Sequence, residues 1–388
     1  MEYYQISDSN YQRALKSHLR KYVIRVEFLS YYESEIKNAT KRAIKDVVGS
    51  LNINRQQLTR RTCSLNLLNC VGKTCELVNY GDKFRLYVGI EDGDNTYWFS
   101  QGIFAIQNAV RSDDYFTLEG VDKGGILDGS LGMNIVDSQY IIPSGENIRD
   151  VIIDTLGLNI ESYNNQSVRS SALSRPIDPQ SPIIDFKYRN YVTQSEISID
   201  TNAPVGDLLT FLADGYSAEV YYDINGRLIF TDNLAMQTGN GYSKLPIKWT
   251  FKEDQVSGVQ YTRNSDVKNV VTVYTNSSEF ENVSEVVRNN NPSSPNRIDL
   301  MGVRRMDSVE IPYVGESPDE QRKYCVAHGE YLLSQEEFNQ NSISFSAILV
   351  PHLDVGDRIM YKEDSFVINS IDINLDGTEM SITATQIQ

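Results

Sequence analysis

The sequence predicts a mainly β protein with an α+β insertion, in which two related small antiparallel β-barrels are separated by a helix-containing middle region. Two observations predict this class. Apolar and polar residues alternate in short runs over 23–121 and again over 343–385, which is the period of half-buried strands. Residues 136–260 instead carry apolar positions at helical spacing, so helices are expected between the two strand-rich parts.

The C-terminal run predicts a four-strand antiparallel unit, a small barrel or curled sheet. Apolar residues alternate with serines over 343–347, and residues 365–375 alternate again. A turn at Gly356-Asp357 opens the second strand, and Asp376-Gly377 is typical of a hairpin turn before the last strand. We expect the apolar side chains of both barrels to fill their cores, namely Leu51, Ile53, Ile371, Ile373 and Ile382.

A similar motif occurs near the start of the chain. Gly81-Asp82 precedes the strand pattern at 83–87, and Gly356-Asp357 precedes a matching pattern at 358–361, 275 residues later. A second and a third strand follow in each case. The offset is too long for a solenoid repeat, so two copies of one barrel around an insertion explain it better. Gly81-Asp82 and Gly356-Asp357 are then expected to form equivalent turns.

Residues 1–22 are predicted as an N-terminal helical arm. Tyr11, Leu15 and Leu19 recur at four-residue spacing, with Ser7 or Asp8 as N-cap. The basic side of this helix could contact an acidic neighbour in an assembly, or it could be a solvated face.

Residues 23–135 are predicted as the first barrel, a small antiparallel one. About six strands are expected, with turns at 92–95 and 113–114. The strands are expected at 23–29, at both ends of 51–67 around the polar residues 54–61, and at 83–90, 97–106 and 115–121.

Residues 136–260 are predicted as the α+β insertion. A helix over 146–156 is expected to end before Gly157 at the C′ position. A second helix is expected to begin at Pro204 and to close at Gly215. A hairpin turning at 223–226 follows, and residues 162–182 are expected to form a loop.

Residues 261–388 are predicted as the second barrel together with a long loop and a helix. A strand is expected at 270–274. The Asn- and Ser-rich residues 276–296, which include Asn282, are expected to form a loop that faces a partner. Ser317 begins a capping box with Pro at the first helical position, which predicts a helix to about residue 334.

The composition indicates a globular chain without export or membrane signals. The N-terminus lacks a signal-peptide pattern and no apolar run could span a membrane, so free thiols and no membrane insertion are expected. The net charge is −16, although residues 1–61 contain 12 Lys/Arg and 6 Asp/Glu. An acidic body argues against nucleic-acid binding, which needs clustered Lys and Arg.

No motif predicts catalysis, a metal or a cofactor. The three histidines are scattered and form no zinc-binding pattern. Cys325 and His328 lie one turn apart on a predicted helix, but nothing supplies an orienting third group. Asp372, Asn374 and Asp376 match the start of a calcium loop, but position twelve is Thr383 rather than Glu, and the spacing fits a hairpin.

The order of several motifs resembles the hub proteins of phage tail tips and baseplates. The motifs are Val355-Gly356-Asp357 with Ile382-Thr383-Ala384, Arg60-Arg61-Thr62-Cys63-Ser64-Leu65, Gly102-Ile103-Phe104, and Tyr221-Tyr222-Asp223-Ile224-Asn225-Gly226-Arg227. The resemblance covers most of the chain from about Val23 onward.

The resemblance implies a non-enzymatic virion protein that is assembled in the host cytoplasm. It implies a homotrimer whose six barrels form a ring under the sixfold tail tube. Its expected partners are the tail tube or distal tail protein, the tape measure protein, and the central spike or receptor-binding proteins. The acidic body would then suit a bore through which DNA passes without specific binding, although net charge also simply keeps a protein dispersed.

Two alternatives remain open from the sequence. The first is a glycan- or receptor-binding β module that uses aromatic residues such as Tyr97-Trp98-Phe99, although aromatic runs in strands are also common in cores and interfaces. The second is a cell-wall hydrolase with paired carboxylates, for which no motif is present. Trp98 and Asn282 are the further candidate interface residues.

Overall fold

The computed structural model describes residues 6, 8–30, 33, 46–68, 82–112, 115–131, 140–157, 178–199, 203–232, 241–264, 266–277, 280–292, 294–338 and 340–387. The strands, in chain order, are β1 (Tyr22–Leu29), β2 (Val47–Asn54), β3 (Arg61–Leu68), β4 (Lys83–Asp92), β5 (Asn95–Arg111), β6 (Tyr115–Asp122), β7 (Tyr140–Ile142), β8 (Ile183–Ile184), β9 (Ile197–Ile199), β10 (Ala218–Tyr222), β11 (Leu228–Asp232), β12 (Ile247–Phe251), β13 (Val256–Arg263), β14 (Val270–Tyr274), β15 (Ser284–Arg288), β16 (Met306–Glu310), β17 (Asn341–Ile348), β18 (Arg358–Tyr361), β19 (Asp364–Asn374) and β20 (Glu379–Ile387).

The α-helices are α1 (Ser9–Lys16), α2 (Gly124–Leu127), α3 (Ile148–Thr155), α4 (Val205–Tyr216), α5 (Ile298–Met301) and α6 (Pro318–Phe338). The predicted fold class, mainly β with a helix-containing middle region, is confirmed. Within the residues that are described, no helix combines the length and the hydropathy needed to cross a membrane.

One 12-stranded sheet contains two units with the same strand order. The first barrel runs β1-β4-β5-β6-β3-β2, and the second runs β12-β18-β19-β20-β17-β13. Numbered by position along the chain, both read 1-4-5-6-3-2. They differ at one edge, because β12 runs parallel to β18 whereas β1 runs antiparallel to β4. The repeat suspected from the short Gly-Asp motif therefore extends to the topology of a complete six-stranded unit.

The two barrels, which the sequence predicts as bodies separated by the middle region, adjoin in space. Strand β2 pairs antiparallel with β19, so the two barrels form one continuous sheet. They also share one hydrophobic core, to which β2 and β19 contribute Leu51, Ile53, Ile371 and Ile373.

Strands β12 and β13 belong to the second barrel by their pairing, although residues 247–260 lie within the range predicted as the insertion. β12 pairs with β18, and β13 pairs with β17. The sequence marks them weakly, since Trp249 and Phe251 are the buried residues of β12 and most of β13 is exposed.

The middle region packs two helices against short strands. α3 has Asn147 as its N-cap, and Gly157 follows with φ +83°, as predicted for a C′ residue. α4 ends at Tyr216, and its C-cap Ser217 takes the left-handed conformation, so the predicted closure at Gly215 is wrong. Gly215 is instead a place of close approach, because a Cβ there would lie 2.3 Å from Cγ of Pro312.

A third unit packs β14, β15 and β16 against α6. The range 276–296, predicted as a loop, contains β15, which pairs antiparallel with β14. The loop prediction is wrong there because Val283 and Val287 are buried toward the helix. Gly329 lets α6 lie close to β15, because a Cβ at this position would be only 2.5 Å from Cγ2 of Val287.

Helix α1 is shorter than predicted and lies against its own chain. Asp8 is the N-cap, and its side chain accepts a hydrogen bond from the Asn10 amide at 2.7 Å. Tyr11 and Leu15 are fully buried, whereas Leu19 is 92% exposed because the helix ends at Lys16. The basic side chain of Arg13 pairs with Asp92 of the first barrel, which shows an acidic contact within the chain itself.

Candidate assembly interface

The turns before β4 and β18 carry the same backbone hydrogen bond. The carbonyl of Asp82 accepts from the amide of Ile106 at 3.4 Å, and the carbonyl of Asp357 accepts from Ile368 at 3.1 Å. Immediately afterwards, both long strands bulge, after Ile106 in β5 and after Ile368 in β19. Two copies of one barrel would share these features.

Of the predicted turn residues, Gly81 lies outside the described residues and the other three can be placed. Gly356 has φ +85°, a conformation that favours glycine. The Asp357 carboxylate accepts from the Asp354 amide at 2.9 Å. Burial, assisted by the nearby charge of Asp354, raises the pKa of Asp357 to about 6. These contacts fix the turn locally, and Asp82 contributes through its backbone.

The junction between the barrels is a five-residue ladder between β2 and β19. Ile371 lies opposite Ile53, and Ile373 lies opposite Leu51, each at most 3% exposed. Backbone hydrogen bonds extend the ladder at both ends, from the Arg55 amide to the Asn369 carbonyl at 2.9 Å and from Leu375 to Gly49 at 2.8 Å. Separating the barrels would expose this apolar face and break the ladder.

The side chains that resemble the start of a calcium loop serve this junction. The Asp372 carboxylate accepts from the Asn52 side chain at 2.5 Å, across the two strands. The Asp376 carboxylate accepts from the Gly49 amide at 2.8 Å, and Asn374 caps the Asp376 amide at 3.0 Å. The hairpin interpretation of Asp372–Asp376 is therefore the one that the structure supports.

Arg61 ties three parts of the chain together. Its side chain is 2% exposed and points inward from the first barrel. One terminal nitrogen donates to the Tyr222 carbonyl of the middle region at 2.9 Å, and the other donates to the Asp354 carboxylate before β18 at 2.5 Å. The neighbouring Arg60 places its guanidinium 3.6 Å from the centre of the Tyr221 ring.

A buried group of two lysines and two carboxylates lies at the start of β4. The Lys83 and Lys123 ammonium groups both lie 2.7 Å from Glu33, and Lys123 lies 2.6 Å from Asp178. Burial would raise the pKa of Glu33, but the two ammonium groups outweigh it and hold that pKa below its ordinary value. Burial lowers the pKa of Lys83 despite the Glu33 charge. Lys123 also donates to the Gly226 carbonyl at 2.6 Å, so the group fastens the middle region to the first barrel.

The remaining predicted residues occupy separate places. Ile382 is 1% exposed and faces the same core as Ile373. Trp98 is half-buried on the outer face of β5, where the Arg25 guanidinium lies 4.5 Å from its ring centre. Asn282 accepts from the Ser277 amide at 2.8 Å and shapes the turn between β14 and β15. The structure thus brings Ile373 and Ile382 together but not Trp98 or Asn282.

Cys325 and His328 do not form an activated pair. Burial raises the pKa of the Cys325 thiol and lowers that of His328 to about 4. A nucleophile and its base need the opposite shift for the thiol. The His328 ring instead lies 3.2 Å from the Ser217 hydroxyl. Within the described residues, no group of three or more His, Cys, Asp or Glu side chains could hold a metal ion.

Sequence reasoning did not assign roles to Arg61 and Lys123. The sequence does contain a signal for Arg61, because this residue continues the alternation of Cys63, Leu65 and Leu67 on the buried face of β3. A charged residue in an apolar series predicts a buried ion pair. Lys123 follows the end of β6 outside any such pattern, so its role depends on the fold of the middle region.

Comparisons with known proteins identify the fold but not a sequence family. No protein-family model matches the chain, and no curated protein matches it by sequence. Solved structures do match. A tail protein from Neisseria meningitidis MC58 gives a TM-score of 0.57 at 11% identity, covering 94% of this chain and 96% of that one.

Two further structures agree with it. The 43 kDa tail protein of prophage MuSo2 from Shewanella oneidensis gives a TM-score of 0.53 at 11% identity, covering 94% of this chain and 98% of that one. A chain of the PdpA–VgrG complex from Francisella gives 0.51 at 12% identity, and 95% of this chain spans 58% of that one. The resemblance predicted from the sequence is confirmed in the fold: over nearly its whole length, this chain has the fold of phage tail proteins.

Proposed function

We propose that the protein is a structural hub of a phage or phage-like tail tip or baseplate. Three copies would form a ring of six barrels that adapts the sixfold tail tube to a central spike or to receptor-binding proteins. The distal tail and tape measure proteins would be further partners, and the protein would act in the virion. The observation that carries the proposal is the duplicated six-stranded unit, since two equivalent barrels per chain convert threefold into near-sixfold symmetry.

The fold likeness supports a role in a tail, because two solved chains that match this one nearly end to end are named as tail proteins. The ordered contacts support a structural role. Arg61, Lys123 and the β2–β19 ladder hold the barrels and the middle region in fixed relation. A ring that transmits force between a tube and a spike needs such internal ties.

The charge of the chain supports passage of DNA without binding. The net charge is −16, and a surface that repels phosphate would let DNA slide through a bore. The proposal assigns no enzymatic step to the protein. Burial raises the pKa of the Cys325 thiol, so this cysteine is not poised as a nucleophile.

The glycan-binding alternative receives less support from the geometry. Phe99 lies in the core and Tyr97 packs against it, so Trp98 is the only member of that run on the outer face. The Arg25 guanidinium already covers one face of its ring. A sugar that stacked on that face would have to displace the guanidinium.

The test is absolute mass by light scattering over a concentration series. We expect a trimer, or a monomer that becomes trimeric as the concentration rises. A stable dimer would contradict the proposal, because two chains present four barrels and cannot match a sixfold tube. Trimers imaged by electron microscopy should show six similar lobes around a central opening.

A further inference from the structure

The internal repeat indicates that each chain carries the two strand edges of a second junction like β2–β19, which are not paired with each other among the described residues. Both barrels share one strand order, so every strand in one has a counterpart in the other. The counterpart of β2 is β13, and the counterpart of β19 is β5. Within the chain, β2 of the first barrel pairs with β19 of the second. The reciprocal pair, β13 with β5, is not made among the described residues.

The equivalence can be carried to single residues. Asn54 ends β2, its amide donates to the Arg60 carbonyl at 2.7 Å, and its side chain accepts from the Gln56 amide at 3.0 Å. Asn264 follows β13, its amide donates to the Gln340 carbonyl at 2.8 Å, and its side chain accepts from Asp266 at 2.9 Å. The same asparagine with the same two hydrogen bonds fixes the register between β2 and β13.

The register between β19 and β5 follows from the shared bulge. Ser370 comes directly after the bulge in β19 and pairs with Thr383, and Asn108 comes directly after the bulge in β5 and pairs with Glu119. In the junction, Ser370 faces Asn54 and Asp372 faces Asn52. The counterparts are Asn108 facing Asn264 and Val110 facing Thr262.

Both edges are exposed in the single chain. Residues 107–111 of β5 extend past the end of its pairing with β4 at Ala105, and Val110 is 51% exposed. Strand β13 is the last strand of the sheet, and Tyr261 is 60% exposed. Exposed apolar residues on open sheet edges favour strand addition by another chain.

We propose that β5 of one copy pairs antiparallel with β13 of the next copy, in the register Asn108–Asn264 and Val110–Thr262. The inference rests on the proposed trimer and names the surface that closes it. The contact is head to tail, because two different edges meet, and such contacts generate rings when the rotation closes. Each chain would then contribute one junction internally and one to its neighbour.

The register makes a disulfide test feasible. The Arg55–Asn369 and Leu375–Gly49 backbone bonds place Asp372 and Asn52 at a non-hydrogen-bonded position of the ladder. Cα atoms at such positions lie about 4.5 Å apart, which is within the range of a disulfide. Val110 and Thr262 should occupy the same type of position between chains.

The experiment mixes two variants that each gain one surface cysteine, Val110→Cys and Thr262→Cys, under a mild oxidant. In both variants Cys70 and Cys75 are replaced by Ser, and the buried Cys63 and Cys325 are kept. We expect a covalent heterodimer in the mixture and none in either chain alone. Ser257→Cys in place of Thr262→Cys is the matched control, since it lies on the same exposed strand but outside the register. Asn52→Cys with Asp372→Cys in one chain is the positive control and should close an internal disulfide.

Light scattering on the same samples distinguishes the two proposals. A trimer without the Val110–Thr262 cross-link overturns this edge pairing and leaves the trimeric hub intact. A chain that stays monomeric at every concentration and forms no cross-link overturns both the trimer and the edge pairing for the isolated chain. A covalent dimer of Val110→Cys with itself would show that like edges meet, which also overturns the head-to-tail contact.

Discussion

Replacing Arg61 by Ala should lower the free energy of unfolding by about 3 kcal/mol, at the lower end of the range for breaking a buried ion pair. The Arg61 side chain is 2% exposed, but its partner Asp354 is about one-third exposed, so solvent screens part of the interaction. The change also removes the donor to the Tyr222 carbonyl at 2.9 Å and leaves a void between three parts of the chain.

Urea unfolding followed by tyrosine and tryptophan fluorescence would measure this effect. Because Arg61 joins the first barrel to the middle region and to the turn before β18, we also expect the variant to unfold over a broader urea range than the parent. Arg13→Ala is the matched control. Arg13 pairs with Asp92 but is 69% exposed, so its removal should cost less than about 1 kcal/mol. Equal, small effects of the two substitutions would refute the account of Arg61 as a tie.

Three further predictions test the junction, its register and the pH dependence. Ile373→Asp buries an unpaired charge in the shared core and should prevent cooperative folding. Ser257→Asp, at an exposed position of β13, should leave the thermal midpoint nearly unchanged. Similar midpoints for the two variants would show that the strand register is wrong. Gly49→Ala should lower the free energy of unfolding in urea by about 1–3 kcal/mol, because at φ +140° a Cβ would lie 2.1 Å from the Ser64 carbonyl oxygen. Gly93→Ala, at φ +62° with open space around it, should lower it by less. The reverse order would show that close approach does not set the effect. Burial lowers the pKa of His352 to about 4, below its unfolded value near 6.5, so the neutral ring contributes stability that is lost as the pH falls from 6.5 toward 4. The difference in stability between the parent and His352→Asn should therefore shrink over that range. A constant difference would exclude His352 as a cause of the pH dependence.

The strands of both barrels could be predicted because their signal is local. Alternation over residues 343–347 and 365–375 reflects one buried and one solvated face, and β17 and β19 lie where that pattern places them. The Asp-Gly hairpin turn before β20 is equally local. β13 escaped assignment to the barrel because its residues are mostly exposed in the single chain, so no apolar alternation marks it.

The contacts between units could not be predicted because they join residues that are far apart in the sequence and meet only in the folded chain. Asp372 and Asn52 are 320 positions apart, and nothing in either segment specifies the other. The same holds for Lys123 and Asp178 across the border of the middle region. Alternation shows which side chains point inward, but the identity of the facing strand depends on the complete fold.

Aligning the two barrels residue by residue shows which features belong to each six-stranded unit and which belong to the contacts between units. The Asn54 and Asn264 turns and the bulges of β5 and β19 are the same in both copies, so they belong to the unit. Arg61 is not repeated, because the counterpart of Arg61 in β17 is Asn341, which has neither the length nor the charge to reach across units. Arg61→Asn should therefore keep the strand and lose the tie. Its stability should match that of Arg61→Ala, whereas a value near the parent would mean that hydrogen bonding at the strand, rather than the bridge to Tyr222 and Asp354, is what Arg61 contributes.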